Sequence, residues 1–159
     1  MKNRPYSNPN LFSSALCAGR GLAKALSTQP NLWLLLAGGW SAMILGSWMD
    51  LSRVELMVLG VALSLPLGAE ILNTAIEQAV DLVVKEFHPQ ARAAKDIAAG
   101  GVLVALLVAL GVGLTLLWPP WAWPAQAARE IGLQPARWIP QIAGVAAAVG
   151  VSMALGRKG

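Results

Sequence analysis

Charge is scarce in this chain. Only 13% of its 159 residues are Asp, Glu, Lys or Arg, while 56% are hydrophobic and the mean hydropathy is +0.57. Soluble domains carry about 25% charged residues, so the composition argues against one and points to a single small membrane domain. Cysteine is nearly absent. Cys17 stands alone, so it forms no internal disulfide, leaves the redox compartment open and reads as a small packing residue. Clusters of basic residues with stacking aromatics are also missing, so the net charge of +4 is no nucleic-acid footprint. A secretory signal is lacking too: Met1 to Asn10 is polar and the first long apolar run starts at Leu32, which predicts that the apolar runs stay in the mature protein.

What the chain does have is a succession of apolar runs with one polar stripe. In Glu70 to Asp81, EILNTAIEQAVD, acidic and amide side chains directly follow a long apolar stretch. At about 100° per helical residue, Glu70, Asn73, Glu77 and Asp81 fall within one narrow face. The apolar run begins near Val54, and a hydrocarbon core takes about 20 helical residues to cross. Counted from Leu56, the crossing ends near Ala75. Glu70 is then expected just inside the apolar layer, Asn73 at its edge, and Glu77 and Asp81 in water. An intramembrane acid is by default a functional candidate.

Around this stripe the chain reads as all-α. Asn10 to Thr28 places Leu11, Ala15, Ala18, Leu22 and Leu26 at near-helical spacing with Arg20 and Lys24 between, which predicts an amphipathic helix on the membrane surface. GRGLAK within it lacks the length and ending of a phosphate loop. Leu32 to Met49 is a first span and Val54 to about Val84 a second, with Pro66 expected to kink it. Lys85 to Ala94 reads as a loop, because Pro89 blocks helix continuation. Ile97 to Trp118 is a third span, and its series Gly101, Ala105, Ala109, Gly113 predicts close helix packing within or between subunits. Trp118 to Trp138, with four Pro and four Trp, reads as an interfacial loop. Ile139 to Leu155 is a shorter fourth run with small residues at Gly144, Ala148 and Ser152; at 17 residues, a span and a re-entrant or surface segment both stay open.

Placing both termini and the Lys85 to Lys95 loop on the cytoplasmic side puts Lys2, Arg4, Arg20, Lys24, Lys85, Arg92, Lys95, Arg157 and Lys158 inside and leaves only Arg53, Arg129 and Arg137 outside. Nine against three predicts four spans with both ends in. Trp48, Trp118, Trp121, Trp123 and Trp138 would then form an outer aromatic belt, and the polar stripe would face the compartment that holds ATP.

A carboxylate at the membrane edge is placed to deprotonate a lipid hydroxyl, and Glu70 is the one at that depth. Phosphoryl transfer further needs Mg²⁺ held by one or two carboxylates and nucleotide phosphates, for which Glu77 is the natural ligand with Asn73 between the two. Lys95 and Asp96 are candidates for a phosphate contact and a second polar anchor, or for a merely solvated helix start. His88 alone reads as an exposed loop residue, and the whole stripe could instead serve only to hydrogen-bond across a helix interface. A rival function is a small ion-coupled transporter subunit with Glu70 as relay, but the second span offers only Ser64 above Glu70 to continue such a path.

EILNTAIEQAVD, EFHP and AKDIAAGGVLV together closely resemble the prokaryotic diacylglycerol kinase and undecaprenol kinase family of small integral-membrane lipid kinases, over about Ser14 to Trp118. The resemblance implies a homotrimer of three-span subunits with a surface helix and shared active sites, transferring the γ-phosphate of MgATP to diacylglycerol or undecaprenol at the cytoplasmic membrane. It implies Glu70 as catalytic base and lipid contact, and Glu77 as metal and nucleotide ligand. Asn73 and Asp81 would support the site, and Glu86, His88, Lys95 and Asp96 would belong to the nucleotide-binding part. Residues 1–118 would form the kinase-like domain, with the surface helix at 10–28 and spans at about 32–49, 54–76 and 97–118; residues 119–159 would be an added loop and fourth apolar helix. Members usually carry a metal-holding glutamate in a Glu-Arg-Asn type motif before the first span. Gln29, Pro30 and Asn31 stand there instead, and no Asp or Glu precedes Asp50. The surface helix likewise has Ser13, Ala15 and Cys17 where aromatic and basic residues are usual. A family member weakened or inactivated by Gln29, one that keeps the trimer and binds lipid, is therefore a further expectation.

Overall fold

The computed structural model describes residues 11–118, 123–133 and 135–156. Among these residues there are six helices and no strand: α1 (Leu11–Thr28), α2 (Pro30–Trp48), α3 (Arg53–Val83), α4 (Pro89–Leu116), α5 (Trp123–Leu133) and α6 (Pro135–Gly156). Three are long and apolar enough to cross a membrane: α3, α4 and the Ile139–Gly156 part of α6. The chain is an all-α integral membrane protein. Of the expected topology signals, Lys2, Arg4, Trp121, Arg157 and Lys158 lie outside the described residues, as do the side chains of Trp123, Arg137 and Trp138.

The surface helix forms as the spacing predicts. Leu11, Phe12, Leu16 and Leu22 of α1 are exposed apolar side chains with little protein cover, which suits a helix laid on a bilayer. Its end is tied to α2 by Trp33 Nε1, which donates to the Leu26 carbonyl over 2.7 Å. Gln29, in extended backbone, is the single residue between the two helices, and Pro30 opens α2 where a missing N–H costs no hydrogen bond.

The first expected span is a helix, but α2 is not among the three that qualify by apolarity. Asn31, Ser41, Ser47 and the glycines dilute it. Its position explains the tolerance, because α2 packs against α1, α3, α5 and α6, and a helix shielded by protein need not be apolar all round. It turns into α3 over four residues. Asp50 there has φ 55°, left-handed backbone that Asp tolerates better than most residues. Ser52 and Glu55 then form a reciprocal capping box at the start of α3. Gly46 is buried against this turn: a Cβ on it would stand 3.0 Å from Leu51 Cδ1 and 3.1 Å from Leu56 Cδ2.

Pro66 does not interrupt α3, which runs as one helix of 31 residues. The expected loop from Lys85 to Ala94 is shorter than the sequence suggests. Pro89 is the first residue of α4 rather than a block to it, since the first helical position has no use for a proline N–H. The link between α3 and α4 is therefore residues 84–88, and Arg92, Lys95 and Asp96 stand on the first turns of α4. In the small-residue series of α4, Ala109 is buried, while Gly101 and Gly113 have open space where a Cβ would go.

The carboxyl-terminal part holds one correction and one extension. The Pro- and Trp-rich stretch is not all loop: α5 occupies Trp123–Leu133, where alanines, Gln126 and Arg129 supply helix propensity between the prolines. The fourth apolar run lies in a longer helix, α6, which is continuous through Pro140. Ala148 and Ser152 of its small-residue series are buried, and Ser152 near the end of α6 reaches Pro30 at the start of α2, so the two helices run antiparallel.

Candidate active site

The α3–α4 hairpin supports the polar stripe. Glu70 is 6% exposed and is the only charged side chain buried among the described residues. Helical phase turns it, with Asn73 and Glu77, toward the start of α2. There Asn31 Nδ2 donates to Glu70 Oε1 over 3.2 Å. One turn on, Asn73 Nδ2 donates to Glu77 Oε1 over 3.1 Å. Thr74, also buried, donates to the Glu70 carbonyl over 2.9 Å, a bond within α3. Asn31, Glu70, Asn73 and Glu77 line a cavity of about 380 Å³ with Gln29, walled on the α4 side by Ala99, Val102, Leu103 and Leu106. Polar groups from α2 and α3 thus face an apolar wall from α4.

The lower half of the stripe opens into a second, more exposed pocket. Asp81, Glu86, His88, Arg92 and Lys95 line a cavity of about 270 Å³ where α3 ends and α4 begins. Lys95 Nζ sits 2.6 Å from Asp81 Oδ1, joining the two helices at the water end of the hairpin. His88 accepts a hydrogen bond from the Gln90 N–H at Nδ1 and so caps α4. Asp96 lies outside both cavities and faces Arg92 at 3.8 Å, with both side chains exposed. Residues 70, 73, 77 and 29 therefore gather in one cavity, residues 81, 86, 88 and 95 in the next, and Asp96 in neither.

Asn31 is the functional neighbour that the polar stripe does not announce. It lies 39 positions from Glu70, and its amide reaches the acid only because α2 packs on α3. The one sequence signal for it is its place beside Gln29, in the segment where the resemblance puts a metal-holding motif.

The donor set suits a hard divalent cation. Asn73 Oδ1 is buried and has no hydrogen-bond partner, because the amide is oriented by Glu77 through its nitrogen. Gln29 makes no side-chain capping bond at the start of α2. Among the described residues no three His, Cys, Asp or Glu side chains cluster; the oxygen donors here are two carboxylates, Glu70 and Glu77, and three amides, Gln29, Asn31 and Asn73. Mg²⁺ takes one or two carboxylates, keeps water and shares phosphate oxygens, and these residues fit it.

Fold and site define a small integral-membrane protein with one acid buried, among the described residues, midway along a long helix, where it lines an oxygen-rich cavity. The family described as prokaryotic diacylglycerol kinase matches residues 16–117, and the chain belongs to it. It is 37% identical to the undecaprenol kinase of Bacillus subtilis (strain 168) over 108 residues, which cover 68% of this chain and 88% of that protein. With a diacylglycerol kinase of Synechocystis sp. it shares 38% identity over 120 residues, 75% of this chain and 69% of the relative. The diacylglycerol kinase of Escherichia coli (strain K12) is 35% identical over 77 residues, 48% of this chain and 63% of that enzyme. No solved structure matches the chain significantly. The family match takes in most of α1 and all of α2 to α4, and ends before α5 and α6.

Proposed function

We propose that the chain is an ATP-dependent lipid kinase that transfers the γ-phosphate of MgATP to the primary hydroxyl of diacylglycerol or undecaprenol at the cytoplasmic face of the membrane. The observation that carries this reading is Glu70: a buried carboxylate on a membrane-spanning helix, in one cavity with Glu77, Asn73 and Gln29. Asn31 occupies Oε1 of Glu70 and leaves Oε2 to accept the hydroxyl proton of the lipid. As that proton moves to Glu70, the lipid oxygen forms its bond to the γ-phosphorus and the bond to the ADP oxygen breaks, with its electron pair leaving on ADP.

Glu77, with Asn73 Oδ1 and Gln29, would hold Mg²⁺, which when bound offsets the charge of the nucleotide phosphates. Asp81, Glu86, His88 and Lys95 would take the rest of the nucleotide in the outer pocket, where the Lys95–Asp81 pair must open or share its donor with a phosphate. Asp96 would act one step removed, by holding Arg92. The amino terminus is read as cytoplasmic, so that the cavity opens toward ATP. A homotrimer belongs to this reading through the family resemblance; the exposed apolar row of Val54, Val58, Val61, Leu65 and Leu72 on α3 is a face for lipid or for a second copy to cover.

Labelled ATP offered with either lipid in mixed micelles tests the reading. Label is expected in at least one lipid, and none in either would overturn it. Because ligand charge sets affinity for a hard cation, Gln29→Glu is expected to lower the Mg²⁺ concentration for half-maximal activity by about tenfold. An unchanged Mg²⁺ titration would show that position 29 does not reach the cation.

A further inference from the structure

α6, which lies outside the family match, carries a contact to the segment beside the site. Most hydroxyls on the membrane helices are spent within their own helix: Ser41 donates to Ala37, Ser47 to Met43 and Thr115 to Gly111, each four residues back. Ser152 does not. Its Oγ is part of a residue only 4% exposed, and it donates across 122 positions to the Pro30 carbonyl over 2.9 Å. Pro30 stands between Gln29 and Asn31, the two α2-side residues that line the Glu70 cavity.

The start of α2 needs such support. Gln29 gives it no side-chain cap, and the Ser152 hydroxyl does not replace one, because it donates to a carbonyl; what it supplies is a tether from a second helix. A carbonyl oxygen has a second lone pair beyond its helical bond, and α6 uses the one on Pro30. We propose that Ser152 is a positioning residue: through Pro30 it holds the first turn of α2 so that Asn31 meets Glu70 and Gln29 faces the cation cavity. α6 is thus a built-in brace for a site whose reacting groups all lie within the family-matched segment. The proposal rests on the kinase reading for its effect on turnover, but the geometry it describes can be measured without turnover.

The test uses the full-length protein in detergent micelles, with Ser152→Ala, which removes the hydroxyl at nearly constant volume, and Ser152→Thr, which keeps it. A hydrophobic carbodiimide labels buried carboxyls, and mass spectrometry reads its rate at Glu70. Ser152→Ala is expected to change that rate by about fivefold, the scale of one lost hydrogen bond, with Ser152→Thr near wild type. The same alanine variant is expected to raise the Mg²⁺ half-saturation of lipid phosphorylation by a similar factor, with kcat held within about twofold.

Wild-type labelling of Glu70 in Ser152→Ala would overturn the proposal. So would a fall in melting temperature and kcat together that threonine does not recover, because the contact would then be packing alone. If the wild type phosphorylates neither lipid, the kinase reading fails, and the labelling comparison still decides whether Ser152 positions Glu70.

Discussion

Glu70→Gln is expected to reduce lipid phosphorylation by about 10²- to 10⁴-fold, the range that a positioned general base contributes. The substitution is nearly isosteric. A glutamine oxygen at this position still accepts from Asn31 Nδ2, and the Thr74 bond goes to the backbone carbonyl and does not change. It also removes a buried charge, whose withdrawal from water is costly, so the melting temperature should stay level or rise. Loss of turnover with retained stability is therefore the signature of a base. It is checked by measuring labelled lipid and thermal unfolding on the same preparation. Turnover within a few-fold of wild type would remove Glu70 from the chemistry.

Glu77→Gln is expected to cost about 10²- to 10³-fold in turnover at ordinary Mg²⁺, the scale of one lost electrostatic anchor at a phosphoryl site. Asn73 still has an oxygen to donate to, so the local helix packing survives. The two variants should differ in one respect. Raising Mg²⁺ is expected to recover part of the activity of Glu77→Gln, because the remaining Asn73 and Gln29 oxygens still offer a neutral ligand set, whereas no Mg²⁺ level recovers Glu70→Gln. Identical flat Mg²⁺ titrations would argue that Glu77 holds no cation.

The parts of this protein that could be read from the sequence are those set by local periodicity. The surface helix α1, the long helix α3 and the shared face of Glu70, Asn73 and Glu77 all follow from helical spacing, and the structure has each of them. Proline was harder to read. Pro89 and Pro135 each begin a helix where a block and a loop were expected, because a missing N–H matters little at a first turn, whereas Pro66 and Pro140 lie inside helices as their apolar runs predict. α5 was hidden by the Trp123–Pro124 pair at its own start and by the further tryptophans and prolines on either side. The contacts from Asn31 to Glu70 and from Ser152 to Pro30 could not be read at all, since they join positions 39 and 122 apart and exist only once whole helices have packed. The same limit applies to Lys95, where a residue suited to phosphate is already paired with Asp81.

The tight turn between α2 and α3 bears on how the protein is made. α2 is synthesised before α3, on which it packs in the finished fold. Four residues join it to α3, with Asp50 in left-handed backbone and Ser52 capped by Glu55. Two apolar helices tied so closely enter a bilayer best as a pair. The insertion machinery would then have to hold α2 until α3 has been synthesised, and loosening the Asp50 turn would be felt during biogenesis before it was felt in the finished protein.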